Sequence, residues 1–230
     1  MAEPLVIVFP LYPQVSFLDF MGPQAVLQAV PGAKLVFASV GGQPIREGAL
    51  TLTDLTPLES VARCDVLCVP GGPSVDVMQD AVFMAAIRRL GTTARYVTSV
   101  CTGSLLLGMA GLLEGRRAAC HWGMREILSD LGAIPDAGRV VRDGHVLTGG
   151  GVTAGIDFGL TLAAELAGPV VAQAIQLLLE YAPSPPFNAG RPETAPAEAM
   201  TFAQKEGPVD LQAECAAIRR LTAGYARRSA

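Results

Sequence analysis

Apolar, β-branched runs alternate with helical spacing along most of the chain. Leu5 to Phe9 is a continuous apolar run and predicts a first strand. Gly22-Pro23 then opens a helix, with proline at its first position, that runs to about Val30. A second strand follows over Leu35 to Val40, and Gly41 to Thr53 reads as a hairpin or a short excursion. Val66 to Val69 predicts a buried strand ending in Pro70-Gly71-Gly72-Pro73, with a helix over roughly Asp80 to Leu90. Tyr96 to Val100 stops at Cys101, where small residues begin an apolar helical pattern lasting to about Ala110.

The second half repeats the alternation less regularly. Ala118 to Cys120 reads as a short strand and the segment near Met124 to Leu131 as a helix. Val140 to Leu147, with Asp143-Gly144 at its middle, predicts a β-hairpin. Gly149-Gly150-Gly151 breaks the chain before helices over Thr153 to Ala167 and Val170 to Tyr181. A Pro-, Gly- and Ala-rich tail from Pro183 to Pro196 leads to a last helix from about Val209 to Arg227. Alternation of this kind predicts an α/β fold, a mostly parallel sheet flanked by helices on both faces. Ligands in such a fold sit beyond the carboxyl ends of the strands. Cys101, the Gly71-Gly72 turn and the segment after Phe9 all fall at such ends and are expected to meet.

Composition narrows the picture. With 230 residues, half of them hydrophobic and 17% charged, the chain suits one well-buried domain. The net charge of -4 is thinly spread, and no basic patch with interleaved aromatics points to nucleic acid. The N-terminal MAEPLVIVFP reads as a strand rather than a signal peptide. Leu147 to Leu166 comes nearest to a membrane span, but glycines, Thr148, Asp157 and Glu165 interrupt it. The cysteines are Cys64, Cys68, Cys101, Cys120 and Cys215, an odd number without CxxC spacing. They argue against a disulfide framework or structural zinc, and for a reducing cytoplasm. The two histidines, His121 and His145, lie too far apart to suggest a metal site.

The chemistry concentrates at Cys101. A strand-to-helix turn pushes one side chain out at a sheet end, and the helix N-terminus behind it stabilises a thiolate. Gly103 removes a side chain where that helix must pass the strand. The competing reading is a core cysteine at a strand end. Asp19, in the apolar run Phe17-Leu18-Asp19-Phe20-Met21, is the second candidate. Read as a loop residue three positions before a cap at Gly22, it is an acid among apolar side chains, with its neutral form favoured. Such a group exchanges protons near neutrality. The backbone amides of Gly71, Gly72 and Thr102 are candidates for stabilising developing negative charge. His121 either approaches Cys101 or is a satisfied polar residue beside Trp122. The glycine turn at Gly149 to Gly151 lacks the lysine of a phosphate loop, and is expected to bring Val152 and Thr153 toward the cysteine. Asp157, one turn further on, reads as a buried structural acid, and Cys64, Cys68 and Cys215 as packing.

With these residues in place the chain resembles the ThiJ/PfpI branch of the class I glutamine amidotransferase-like superfamily, and within it the isonitrile (isocyanide) hydratases. The segments that carry the resemblance are Leu18-Asp19-Phe20-Met21-Gly22-Pro23, Val69-Pro70-Gly71-Gly72, Tyr96-Val-Thr-Ser-Val-Cys-Thr-Gly-Ser104 and Ala110-Gly-Leu-Leu113. They continue with His121-Trp122, Leu147-Thr-Gly-Gly-Gly-Val-Thr-Ala-Gly-Ile-Asp157, Leu179-Glu-Tyr-Ala-Pro183 and Pro186-Phe-Asn-Ala-Gly190. The elbow and the Thr-Gly-Gly-Gly segment mark the wider group, which includes domains of transcriptional regulators. The Leu-Asp-x-x-Gly-Pro and Pro-Pro-Phe-Asn-Ala-Gly segments are narrower. The chain lacks the C-terminal histidine–acid pair of a glutamine amidotransferase. It carries Thr102 where the peptidase-like members place a histidine, and Asp19 fills the role of a glutamate found near the first strand in other relatives.

The resemblance implies a flavodoxin-like sandwich with a nucleophile elbow at Cys101, an α/β domain over 1–190, and a helical extension over 191–230. That extension would pack on the same domain or on a dimer partner. It also implies addition of water to an isocyanide to give an N-substituted formamide. Cys101 would form a covalent thioimidate and Asp19 would act as general acid and base. Gly72 and Thr102 would give backbone support, and Phe17 and Phe20 would line an apolar pocket, with His121, Val152 and Thr153 nearby. No metal or organic cofactor is required, and a homodimer is expected. Two other readings share the same residues: a glyoxalase- or hydrolase-like enzyme on small carbonyls, and a non-catalytic sensor that oxidises or binds ligand at Cys101.

Overall fold

The computed structural model describes residues 3–205 and 210–229, with side chains up to residue 223. In chain order the elements begin β1 (Leu5–Pro10), α1 (Phe17–Leu27), β2 (Ala33–Ser39), β3 (Ile45–Glu47), β4 (Leu50–Leu52) and β5 (Thr56–Pro57). Then come β6 (Val66–Val69), α2 (Val75–Gln79), α3 (Ala81–Thr93), β7 (Tyr96–Val100), α4 (Gly103–Met109) and β8 (Arg117–Ala118). After a 3₁₀ segment at Arg125–Leu131 follow β9 (Ile134–Pro135), β10 (Val140–Asp143), β11 (Val146–Gly149), α5 (Ala154–Ala167) and α6 (Pro169–Leu178). Helices α7 (Ala197–Lys205) and α8 (Leu211–Ser229) follow. No helix among the described residues is long and apolar enough to cross a membrane.

The main sheet runs β10-β11-β7-β6-β1-β2-β5, and every pairing in it is parallel except the β10–β11 hairpin. Its five long parallel strands therefore stand in the order second, first, third, fourth, fifth, which is the flavodoxin-like order. The sheet grows one way from β1 to β2 and the other way from β6 onward. Right-handed crossovers then place α1 on one face and α3 and α4 on the other. Helix α5 returns to pack on α1, and α6 packs on α5. The central strands β6 and β7 are buried at every position, as strands covered on both faces require. The crevice where the direction of growth reverses lies between β1 and β6. Asp19 follows β1 and Gly71 follows β6, so both flank it.

Several elements depart from the sequence expectation. Helix α1 starts at Phe17 rather than Gly22, so Asp19 sits in its first turn and Pro23 inside it. The Phe17 N–H is satisfied from outside the helix by Glu47 Oε2 at 2.9 Å, a partner invisible to local patterning. Gly22 serves a different purpose: a Cβ there would stand 3.3 Å from Ile156 Cγ1, so it permits close packing of α1 on α5. The short strand near Ala118 pairs with β9 in a separate two-stranded sheet rather than joining the main one. Asp157 is half-buried, not buried, and is held by Arg139 at 2.7 Å and the Tyr181 hydroxyl at 3.0 Å. Helix α7 lies between the Pro183–Pro196 tail and the expected last helix, where no element was expected. The expected start of the last helix at Val209 lies outside the described residues, and Ile218 of α8 is fully buried in the core.

Candidate active site

Cys101 occupies a left-handed backbone conformation, φ 60°, which few non-glycine residues adopt and which is costly unless its surroundings enforce it. They do so here. The Cys101 N–H is shared between Gly149 O at 3.1 Å and Gly150 O at 2.8 Å, which fixes the end of β7 to the glycine turn after β11. Gly103 abuts the end of β6, where a Cβ would collide with Val69 O and stand 2.9 Å from Pro70 O. A strand thus turns directly into α4, with the Cys101 side chain left at the sheet's carboxyl end. The cysteine is 6% exposed.

Asp19 is completely buried. Its Oδ2 accepts the Gly71 N–H at 2.9 Å, while Gly71 O accepts the Ser16 N–H at 2.9 Å. The first turn of α1 and the glycine turn after β6 therefore exchange two hydrogen bonds. Oδ1 is buried without a hydrogen-bond partner. Burial pushes the Asp19 carboxyl up to about 7; the Gly71 N–H and the adjacent Cys101 thiol oppose that shift, and Glu47 adds to it. Cys101 is driven well above its ordinary range, first by burial and then by the charge on Asp19, with the Thr102 N–H acting in the opposite sense. These two groups titrate as one unit. In its singly protonated state the pair carries one negative charge, and thiol–carboxylate and thiolate–acid are tautomers of equal total charge.

The glycine turn is shaped around these groups. A Cβ on Gly71 would lie 2.6 Å from Thr102 N and 2.7 Å from both Asp19 Oδ2 and Thr102 Oγ1. The Gly72 N–H donates to Thr102 Oγ1 at 2.9 Å, and Thr102 Oγ1 donates back to Gly72 O at 2.8 Å. The amides of Gly71 and Gly72, expected to face developing charge, are thus engaged by Asp19 and Thr102. The backbone amide that faces the Cys101 sulfur is that of Thr102.

The other expected residues fall at varying distances from the pair. Phe17 and Phe20 are buried in an edge-on pair with centroids 5.4 Å apart, and Phe20 leans on Phe37. Both belong to the hydrophobic core. His121 Nδ1 accepts the Gly123 N–H at 3.3 Å and its ring tilts against Trp122, while burial lowers its pKa. It makes no hydrogen bond to Cys101. Val152 is half-buried, and Thr153 is exposed, its carbonyl taken by Arg139 at 2.9 Å.

Three residues were not anticipated. Tyr12, buried just beyond β1, donates to Pro70 O at 3.3 Å and feels the charges of both Asp19 and Cys101, though burial is the main cause of its raised pKa. Its place past the end of the first strand was a usable signal. Cys120 lies near Cys101, its thiol pushed up to about 12 by burial. Its segment is docked from two sides: Ser104 Oγ donates to Ala119 O at 2.5 Å, and Ala119 N donates to Thr148 Oγ1 at 2.8 Å. Glu214 on α8 accepts the Ser74 N–H at 2.8 Å from 140 residues away. A cavity of ≈ 860 Å³ lies between the β3–β4 hairpin, α2 and α8. Tyr12 and Glu214 are among the residues that line it, and Cys101 is not.

Comparison with known proteins agrees with this architecture. The model of the DJ-1/PfpI family matches residues 6–165. A curated relative from Pseudomonas putida, isonitrile hydratase, is 49% identical over 206 residues, spanning 89% of this chain and 90% of its own. The crystal structure of a ThiJ/PfpI family protein from Pseudomonas syringae superposes with a TM-score of 0.88 at 38% identity, covering 94% of this chain and 90% of its own. Drosophila melanogaster DJ-1beta shares the fold, with a TM-score of 0.70 at 23% identity over 78% of this chain and 100% of its own.

Proposed function

The chain belongs to the DJ-1/PfpI family, and from that premise we propose that it hydrates isonitriles, converting R–N≡C and water to R–NH–CHO. The observation that carries the reading is the fully buried Asp19 carboxyl, one oxygen unpartnered, set against a cysteine at a strained elbow. The choice of substrate class follows the Pseudomonas putida isonitrile hydratase, to which the chain is 49% identical.

The singly protonated pair supplies both reagents of the first step. Cys101 sulfur attacks the terminal isonitrile carbon while the pair's one proton passes through Asp19 to that carbon, giving the thioimidate Cys101–S–CH=N–R. Asp19, now a carboxylate, takes a proton from water as its oxygen adds to the same carbon, and delivers that proton to nitrogen. Breaking the C–S bond releases the formamide, and the hydroxyl proton returns to the pair. The Thr102 N–H stabilises the sulfur when it carries charge. No redox partner enters this balance.

The proposal extends to the chain's organisation: an α/β domain over 1–190, a helical extension over 191–230 packed on it, and a cytoplasmic homodimer. Contacts of α8 with the 3₁₀ segment Arg125–Leu131 and with α2 support the packing. Exposed Val170, Leu177, Leu178 and Phe187 offer an apolar surface for a second copy.

Formamide production from a simple aryl or alkyl isocyanide tests the reaction, with the parent set beside Cys101→Ala and Asp19→Asn. Turnover by the parent and near-abolition in both variants is the expected result. A folded parent that makes no formamide would end the hydratase reading.

A further inference from the structure

We propose that Glu214 of α8 is a positioning residue for the Cys101–Asp19 pair, acting through Ser74 and the Gly71-Gly72 turn. Its catalytic consequence rests on the hydration reading, whereas the linkage rests on geometry alone. Glu214 Oε1 accepts the Ser74 N–H at 2.8 Å, and Ser74 Oγ donates to Gly72 O at 2.8 Å. The same Gly72 carbonyl accepts from Thr102 Oγ1, which in turn holds the Gly72 N–H. One peptide earlier, the Gly71 N–H is the hydrogen bond that Asp19 receives. A continuous series of bonds therefore joins α8 to both reacting groups, although α8 lies beyond the 6–165 span of the family model.

Two features make this more than a surface contact. Ser74 is fully buried, so its N–H needs a protein partner, and among the described contacts Glu214 supplies it. Helix α8 is itself fixed, with Ile218 buried in the core and Cys215 Sγ donating to Gly123 O at 3.2 Å. Loss of the Glu214 acceptor frees the turn, and the Gly71 N–H tilts away from Asp19. The carboxylate then loses its only backbone donor and the pair holds its second proton to higher pH. Asp19 is otherwise faced by Glu47, Tyr12, Cys101, Cys68 and Cys120. Glu214 faces Tyr12 and shares its cavity with Asp76, Asp80, Asp210 and Arg220.

The test follows alkylation of Cys101 by iodoacetamide against pH, read on the Cys101 peptide by mass spectrometry, beside kcat and KM for an aryl isocyanide. Glu214→Ala is expected to move the alkylation profile up by about one pH unit. It should also lower kcat about tenfold with KM little changed. Glu214→Gln keeps an acceptor oxygen and is expected to behave like the parent. An unmoved profile in folded Glu214→Ala, or a Gln variant as impaired as the Ala variant, would overturn the proposal. If Glu214→Ala does not fold, Ser74→Ala, which leaves the α8 contacts in place, must shift the profile in the same direction or the proposal fails. Alkylation does not depend on the substrate, so a parent inactive on isocyanides would defeat the hydration reading while leaving this result readable.

Discussion

Gly71 gives its backbone N–H to Asp19 Oδ2 at 2.9 Å, and the approach is possible because Gly71 has no side chain. A methyl group there would press on Thr102 N, Thr102 Oγ1 and the carboxylate together, at 2.6–2.7 Å. Backbone on one side and buried polar groups on the other leave it nowhere to go. Gly71→Ala is therefore expected to fold with a loss of about 1–3 kcal/mol. Displacing the acid from the sulfur should reduce kcat/KM for isocyanide about a hundredfold. Urea unfolding and steady-state kinetics read the two effects, and a variant of parental activity would contradict this account of the turn.

The buried acid also fixes a pH dependence. Asp19 rises from 3.8 to about 7 on folding, so the folded state prefers the neutral carboxyl. Its contribution to stability is fully present below about 3.8 and is lost as pH rises through about 7. Asp19→Asn carries no such penalty. Relative to the parent it should gain on the order of 4 kcal/mol between acidic pH and pH above 7. Urea midpoints of both proteins across that range measure the gain, and a constant difference would refute it. Parental turnover should rise as pH passes through about 7, because the doubly protonated pair has no thiolate tautomer and the singly protonated pair does.

Thr102 offers a separable test. Its hydroxyl both donates to Gly72 O and accepts from Gly72 N–H. Thr102→Val retains the shape, leaves the Gly72 N–H unpaired and takes away one of the two donors to Gly72 O, the other being Ser74 Oγ, at a cost of about 1–3 kcal/mol. Thr102→Ser keeps the hydroxyl and should recover most of that loss. Thermal unfolding of the three proteins decides whether the hydroxyl or the methyl matters, and equal loss in both variants would point to packing instead.

The parallel sheet was legible because β1 and β6 are apolar runs that stop at Pro10 and Pro70, and the elbow because the β-branched strand β7 stops dead at Cys101. Asp19 was legible as a residue but not in its setting. Pro23 looked like the first residue of a helix, whereas the α1 N-terminus is satisfied by Glu47 from a distant hairpin. Long-range partners also decided the fate of the glycine amides. A Pro-Gly-Gly turn at a strand end reads as a cradle of free N–H groups, and only the fold shows Asp19 and Thr102 taking them. Glu214 had no local signature at all, since its partner Ser74 is 140 residues away.

The seam between α1 and α5 carries the last prediction. A Cβ on Gly155 would stand 2.9 Å from Pro23 Cδ and 3.5 Å from Asp19 O, and one on Gly159 3.1 Å from Val26 Cβ. Glycines of α5 thus let α1 lie close enough for its first turn to place Asp19 under Cys101. Proline is a rigid neighbour with no rotamer to yield, so Gly155→Ala must push α1 outward as a body. The expected result is a loss of about 1–3 kcal/mol together with a fall in kcat that exceeds any change in KM. Gly168→Ala is the comparison, because a Cβ there meets nothing within 4 Å and only its backbone, at φ 89°, objects. It should lose stability without the drop in kcat. If both variants lose stability alone, the close approach of α1 to α5 holds the fold but does not aim the acid.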